Sequence, residues 1–593
     1  MTNPTWISGL KDAVLKADFT SFASAGPITE AEMTKALTDL AGELTSSKTT
    51  LSSSQLSDLK TIAANIGSMG ASSYLQFVTN ALVNGNAANA TWTGGASQSV
   101  ALGNLAAGET VAKLDELIGK WFQGTDLPSS EVSMSGYSSF TVSYSTVTKP
   151  LYGANGPSMS DVNQGYLGDC YLLSSLAEVA NQDPSAITSM ITNNGNGTYG
   201  VRFYVDGQAR YVTVDAQLAD GGRIFNSGSN IWASLVEEAY AELQTQGVCT
   251  GNSVNAGDSF STIGNGGAPE FALEEMTGAS AITDFYASSS GWLSYTYNQS
   301  FTAVTASSNP SAATALSTLA ADLAVGDDLV LCSYTNATDS SGKTTLVGDH
   351  AMSIYGYDAA TGMLEIRNPW GTEAGQTWDT TFEVSLKTLL SDGDTITADN
   401  AGTATTVSGA SVVAAAGLQA IAQVTSFSVT DSVANVDSGL AALIADTKLT
   451  SLTVTGTAGA DALTLTGLKA AATINMGGDS DKATVSGFAS TGSGAGKATS
   501  LNLGSGYDTV ALGSGADTID FALGASGGVE DVAAFNSAHD MLSVALNGGA
   551  LEQTLVSGGD WISSSTDLTH GVFLAGVTSL QRVTVSGGTA TVA

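Results

Sequence analysis

Hydrophobic and polar positions change their spacing twice along the chain, and each change marks a region. Up to about residue 125, Ala, Leu and Lys recur three and four apart in Trp6–Lys16, Thr29–Leu44, Ser54–Ile66 and Val111–Phe122. That is the period of helices with one apolar face. Thr29-Glu30-Ala31-Glu32 adds a helix start, with carboxylates in the first turn. From about Leu127 to Thr405 the pattern is mixed. β-Branched and aromatic runs at Tyr199–Val205 and Tyr211–Val214 alternate with helical stretches at Cys170–Ala180 and Ile231–Thr245, which is α+β character. After Thr406 aromatic residues thin out and short Val/Leu/Ile alternations recur between glycines, the pattern of repetitive β-structure. The predicted fold class is therefore multidomain. A helical N-terminal region over 1–125 (a pro- or regulatory segment, or a plain accessory domain) precedes an α+β core over 126–405. That core has two subdomains with a break near 280–325, and an all-β repetitive region follows over 406–593.

Length supports this division, because 593 residues are too many for one hydrophobic core. Charge narrows the partners. Lys and Arg number 19 against 55 Asp and Glu, a formal net charge of -36. Such a surface repels phosphate backbones and anionic lipid, so no nucleic-acid partner is expected, and the carboxylate excess suits a hard cation such as calcium. The three cysteines, at 170, 249 and 332, are too few and too scattered for a disulfide framework. The opening MTNPTWISGLKDAV has no basic stretch followed by an apolar one, so no N-terminal signal peptide is expected. The longest apolar stretch, Ala410–Val424, falls short of the roughly 20 residues that span a bilayer, so no membrane insertion is expected.

The chemistry concentrates in the middle region. Gln164-Gly-Tyr-Leu-Gly-Asp-Cys170-Tyr-Leu-Leu places a cysteine at the start of an apolar helix, where first-turn N–H groups and the macrodipole favour a thiolate. Gly165 and Gly168 permit close backbone approach, and Gln164 is placed to offer its amide to a developing oxyanion. Only three histidines exist, at 350, 539 and 570, and only His350 precedes the repetitive tail, so it is the one candidate base for Cys170. His350 opens the strand His-Ala-Met-Ser-Ile-Tyr, and Met363–Arg367 forms a second strand ending at Asn368, with the turn Asp358-Ala-Ala-Thr-Gly362 between them. A turn centred near Ala360 sets His350 and Asn368 diagonally at one end of the hairpin, roughly 5–8 Å apart at Cβ. From there Asn368 can accept the imidazole N–H and fix its tautomer. A register slip of one residue would part them.

These motifs resemble those of the calpain family of papain-like cysteine proteases. The resemblance also covers Asn230-Ile-Trp232-Ala-Ser-Leu-Val-Glu237-Glu-Ala-Tyr240, Gly266–Gly278 and Asn368-Pro-Trp370-Gly, five segments in family order over about 130–390. It implies a Cys170–His350–Asn368 triad with Gln164 at the oxyanion, and Trp370 as the tryptophan that rearranges on activation and shields the triad. Tyr171 stands where the family usually has Trp, and Asp349 where it more often has Gly, a change expected to raise the proton affinity of His350. The resemblance further implies a calcium site drawing on Asp161 and Glu237. Two carboxylates alone do not make one, since calcium takes six to eight oxygens. They have plain readings too, Asp161 as a turn cap and Glu237 as a helix pair.

The tail supplies a separate indication of calcium. Leu503-Gly-Ser-Gly-Tyr-Asp508-Thr-Val is followed at once by Leu512-Gly-Ser-Gly-Ala-Asp517-Thr-Ile, with looser copies at Gly456–Leu463 and Gly477–Val485. Glycine turns expose carbonyls, Asp508 and Asp517 add carboxylates, and the apolar residue points inward. The run resembles the RTX nonapeptide of secreted bacterial proteins. It implies a β-roll, a cell-surface or secreted location without an N-terminal signal peptide, and the type I secretion machinery as a partner. His539 and His570 read as structural. The predicted function is a calcium-responsive cysteine endopeptidase acting on protein or peptide substrates. The alternatives are a secreted structural or adhesive surface protein with a degenerate protease core, and acyl transfer of the transglutaminase type, disfavoured by Asn368 in place of Asp.

Overall fold

The computed structural model describes residues 4–219, 229–247, 259–304, 308–486, 499–502, 507–512, 517–522, 529–536, 538, 540–546, 549–579, 583–586 and 589–592. They form two compact units. The first comprises residues 1–309, 327–355 and 364–401, and the second residues 310–326, 356–363 and 402–593. Among the described residues no helix is long and apolar enough to cross a membrane.

The first unit opens with helices. The predicted Trp6–Lys16 helix is divided in two, Thr5–Ser8 and Ala13–Ala25, because Asp12 caps the second through the N–H groups of Val14 and Leu15. Thr29 and Glu32 form the reciprocal capping box of Glu30–Ser47. The helix Ser73–Asn84 was not legible from spacing, since Tyr74, Leu75, Val78, Thr79, Ala81, Leu82 and Val83 bury nearly its whole circumference. It buries Tyr74 against the strand Gln208–Asp215, where the Tyr74 and Thr213 hydroxyls hydrogen-bond at 2.8 Å. The N-terminal helices are thus packed onto the α+β region within one unit.

A seven-stranded antiparallel sheet carries the hairpin His350–Asp358 and Met363–Arg367. Its order is Gly291–Asn298, Ala281–Ser288, Thr395–Asp399, Leu329–Ser333, His350–Asp358, Met363–Arg367 and Thr381–Val384. The helix Cys170–Gln182 lies on this sheet and buries Leu172, Leu173, Leu176 and Val179. Two polar stitches fix its position: the Ser174 hydroxyl donates to the Ala351 carbonyl and the Ser353 hydroxyl to the Ser174 carbonyl, each at 2.8 Å. They tie the cysteine helix to the histidine strand one and three residues beyond His350.

Glu178 of that helix is fully buried. Burial pushes its carboxyl up to about 8, against hydrogen bonds from Gln182 and Asn181 that lower it. A group raised on folding contributes stability that is complete below its unfolded value near 4.5 and is lost as pH climbs through about 8. Replacing Glu178 with Gln is therefore expected to flatten the fall in melting temperature between pH 5 and pH 9. The recovered stability at the alkaline end should be on the order of 3–5 kcal/mol at 1.36 kcal/mol per pKa unit, read by thermal unfolding of parent and variant.

In the second unit the chain passes alternately between two parallel sheets. One holds Leu449–Thr455, Ala471–Asn475, Thr499–Asn502 and Asp517–Ala522, and the other Ala462–Thr466, Lys482–Ser486 and Tyr507–Ala511. Leu452, Val454, Leu463, Leu465, Ile474, Val485, Leu501 and Val510 point inward and are buried. Two antiparallel hairpin edges, with strands at 551–564 and 583–592, end the sheets. The helix Ala312–Val325, expected in the core region, packs here: Ala320, Ala321 and Val325 join the tail's apolar cluster.

Candidate active site

Cys170 is the first residue of its helix, with Asp169 before it as N-cap. Asp169 gives the helix no side-chain cap. Its carboxyl instead accepts from the Gln164 amide at 3.2 Å and faces Glu237, wholly buried. Gly168 is glycine because a Cβ would stand 2.6 Å from the Gly264 carbonyl; its N–H donates to that oxygen at 3.0 Å, and Gly266 N–H returns a bond to the Gly168 carbonyl at 2.9 Å. Gly267 leaves room for the Tyr171 ring, whose carbons would lie as near as 2.5 Å to an added Cβ.

The hairpin brings His350 and Asn368 together. Gly362, at φ +73°, closes the turn by donating its N–H to the Asp358 carbonyl at 2.8 Å. His350 Nε2 lies 3.0 Å from Asn368 Oδ1, and the same oxygen accepts the Trp370 N–H at 3.0 Å. An acceptor at Nε2 puts the imidazole proton there and leaves Nδ1 basic. Trp370 covers the pair, its ring 4.9 Å from the imidazole and tilted 42°. Trp378 holds Trp370 edge-on at 5.4 Å and donates Nε1–H to the Gly371 carbonyl. Spacing alone had not singled out Trp378.

Cys170, His350, Gln164 and Trp370 all face one cleft of about 910 Å³. Its far wall is the hairpin of Glu131–Val132 and Phe140–Thr141, which contributes Met134, Tyr137 and Phe140. Asn265 anchors that hairpin, accepting from the Ser135 N–H at 2.6 Å and donating to the Ser133 carbonyl.

The electrostatics depart from expectation in two places. Burial, with the neighbouring Asp169 charge adding to it, pushes the Cys170 thiol up to about 11, outweighing the N–H groups of Ala351, Tyr171 and Cys170 itself. The helix start therefore does not leave a resting thiolate. Burial also holds His350 down, at about 4, against the Asn368 bond that raises it. Asp349 does not reverse this. Its own φ of +55° lies in the left-handed region, which is a conformational reason for glycine to serve there. Burial thus disfavours the charged form of both groups. Gln164 is likewise occupied: its Nε2 donates to the Leu167 carbonyl at 2.7 Å and to Asp169 Oδ1, so oxyanion duty requires the amide to turn.

Asp161 and Glu237 do not fit together as a calcium site. Asp161 accepts from Asn230 Nδ2 at 2.7 Å, Trp232 Nε1 at 3.0 Å and the Ser158 N–H at 3.0 Å, while Glu237 is buried against Asp169, and burial drives its carboxyl well up. The turn-cap reading of Asp161 is thus realised. Among the described residues no group of three or more His, Cys, Asp or Glu stands ready to hold a metal ion. In the tail, Asp508 joins a column: the Asp461 N–H donates to Asp481 Oδ1 at 2.8 Å and the Asp481 N–H to Asp508 Oδ1 at 2.7 Å. Asp517 starts a strand opposite Thr499, but its side chain, the glycine turns of both clean repeats, His539 and Cys249 lie outside what is described. His570 pairs with Asp567 at 2.6 Å on a hairpin edge, a structural contact. Cys332 stands opposite Ala351, one position from His350, and burial drives its thiol well up.

Residues 141–387 match the family described as calpain family cysteine protease. This stretch is similar to a calpain-family cysteine protease domain. The chain is 28% identical over 248 residues to calpain clp-4 of Caenorhabditis elegans, which is 38% of this chain and 29% of that one. It is 25% identical over 246 residues to calpain-8 of Mus musculus and 26% over 242 to the calpain-2 catalytic subunit of Bos taurus, in each case 29% of the relative. The chain thus spans less than a third of the length of these relatives. The matched stretch holds Gln164, Cys170, His350 and Trp370, and the column of tail aspartates lies outside it.

Asn368→Ala is expected to leave the imidazole free to turn. On a peptide substrate, kcat should fall on the order of 10²-fold, the cost of a misplaced reacting group, with KM little changed.

Proposed function

We propose that this chain is a cysteine endopeptidase that cleaves extended protein segments through an acyl-enzyme. The observation carrying the reading is the 3.0 Å bond between His350 Nε2 and Asn368 Oδ1 in the cleft that Cys170 enters from a helix start. Cys170 Sγ attacks the scissile carbonyl while His350 Nδ1 takes its proton. The oxyanion is met by the Cys170 N–H and by the Gln164 amide once it turns from Leu167. His350 then gives the proton to the departing amine, and water, activated by the same nitrogen, releases the acyl group. The thiol at about 11 and imidazole at about 4 make proton transfer part of the attack rather than a resting ion pair.

Calcium responsiveness and export belong to the same proposal, and what supports them lies in the tail. Two parallel sheets stack Asp461, Asp481 and Asp508, and Asp481 Oδ2 is buried without a hydrogen-bond partner. Carboxylates in such a column are oxygen ligands of the kind a hard cation takes. No step of the hydrolysis is routed through Asp161 and Glu237. The test is cleavage of an unfolded protein with and without a calcium chelator, with calcium uptake followed by calorimetry in parent and Asp481→Asn. Chelation is expected to slow cleavage and Asp481→Asn to lower uptake; cleavage and uptake indifferent to both would remove calcium from the account. A secreted adhesive role with an idle core predicts no cleavage under any condition.

A further inference from the structure

Arg367 ends the strand before Asn368 and is only 3% exposed. A buried guanidinium costs free energy unless its hydrogens and charge are met. Here they are met sparsely. Nη2 donates to the Val162 carbonyl at 2.6 Å, Nη1 is buried without a partner, and Glu178 and Asp161 act on its charge from a distance without forming an ion pair. An apolar side chain could fill this space, but it could not hold a carbonyl at one point.

That carbonyl belongs to the segment leading into Gln164, and two further contacts lie along the same seam. The Gln164 N–H donates to the Pro369 carbonyl at 2.7 Å. Gly371, at φ +68°, sits so close to Asn163 that a Cβ would collide with its side chain. Residues 162–164 and 367–371 therefore lie against each other, one segment carrying Gln164 and the other Asn368 and Trp370.

From this juxtaposition we propose that Arg367 is a positioning residue for the hydrolysis, a clamp that fixes the Gln164 loop on the Asn368 loop through the Val162 carbonyl. The proposal rests on the endopeptidase reading. Losing the clamp lets the oxyanion donor drift while Cys170 and His350, held by the Ser174 and Ser353 stitches, stay in place.

The test uses the full chain with Arg367→Met and, as an independent opening of the same seam, Gly371→Ala. A peptide aldehyde probes the oxyanion position through its hemithioacetal. Iodoacetamide probes the thiol alone. Both variants are expected to lose roughly tenfold or more in kcat and the same factor in aldehyde affinity. Their KM and iodoacetamide alkylation rates should stay within about twofold. In a Gln164→Ala background Arg367→Met should change kcat less than about threefold, because the group it positions is gone. Unchanged kcat in both variants, a loss that multiplies in full with Gln164→Ala, or alkylation falling in step with kcat would each overturn the clamp. A parent chain without peptidase activity or aldehyde affinity would overturn the endopeptidase reading and the clamp with it.

Discussion

Replacing Cys170 with Ala is expected to reduce peptide hydrolysis by roughly 10⁶-fold, the scale on which loss of a covalent nucleophile is felt. The reason is local. Sγ is the one nucleophilic atom that the helix start delivers to the cleft beside His350, and removing it leaves only substrate binding and the oxyanion donors. The fold should survive, because Cys170 is partly exposed and the helix is held by Leu172, Leu173, Leu176 and the two serine stitches. Equal melting temperatures in parent and variant, with hydrolysis lost only in the variant, would separate chemistry from folding. Hydrolysis retained by Cys170→Ala would refute the assignment.

His350→Ala is expected to cost roughly 10⁴-fold or more, and it carries a pH signature. With the thiol at about 11 and the imidazole at about 4, Cys170 in the substrate-free protein should be alkylated faster as pH rises through the alkaline range. It should show no plateau between pH 5 and 8. A preformed thiolate–imidazolium pair would give that plateau, with alkylation already fast at pH 5. His350→Ala should leave the alkaline limb in place while abolishing turnover, since the base acts during attack and not before it. A plateau in the parent that vanishes in His350→Ala would show instead that the pair is ionised at rest.

How far the sequence disclosed this site follows from how local each feature is. The Cys170 helix, the 350–368 hairpin and the pairing across it are set by short-range patterns: an apolar helix after glycine-flanked polar residues, and alternating strands joined by Asp358–Gly362. The inward alternation of the tail was legible for the same reason, although its division into two sheets was not. What spacing did not disclose depends on contacts far apart in sequence. The high thiol comes from burial at the helix start and from Asp169, which gives the helix no side-chain cap and faces Glu237 instead. The Arg367–Val162 bond spans 205 positions. The capture of Asp161 by Asn230 and Trp232, which leaves it unfit to join Glu237 around a cation, likewise joins distant segments. The one available signal was an arginine set in an apolar strand, Met-Leu-Glu-Ile-Arg367, immediately before the orienting asparagine.

The central claim is that Cys170, activated by His350, is the nucleophile of a peptidase, and covalent capture tests it most directly. The full chain is incubated with a peptidyl chloromethyl ketone, and the intact mass and the modified peptide are read by mass spectrometry. The account predicts a single adduct, on Cys170, formed in step with loss of peptidase activity and strongly slowed in His350→Ala. An adduct on Cys332 or Cys249 that accompanies inactivation, or an active protein that never becomes labelled at Cys170, would contradict it.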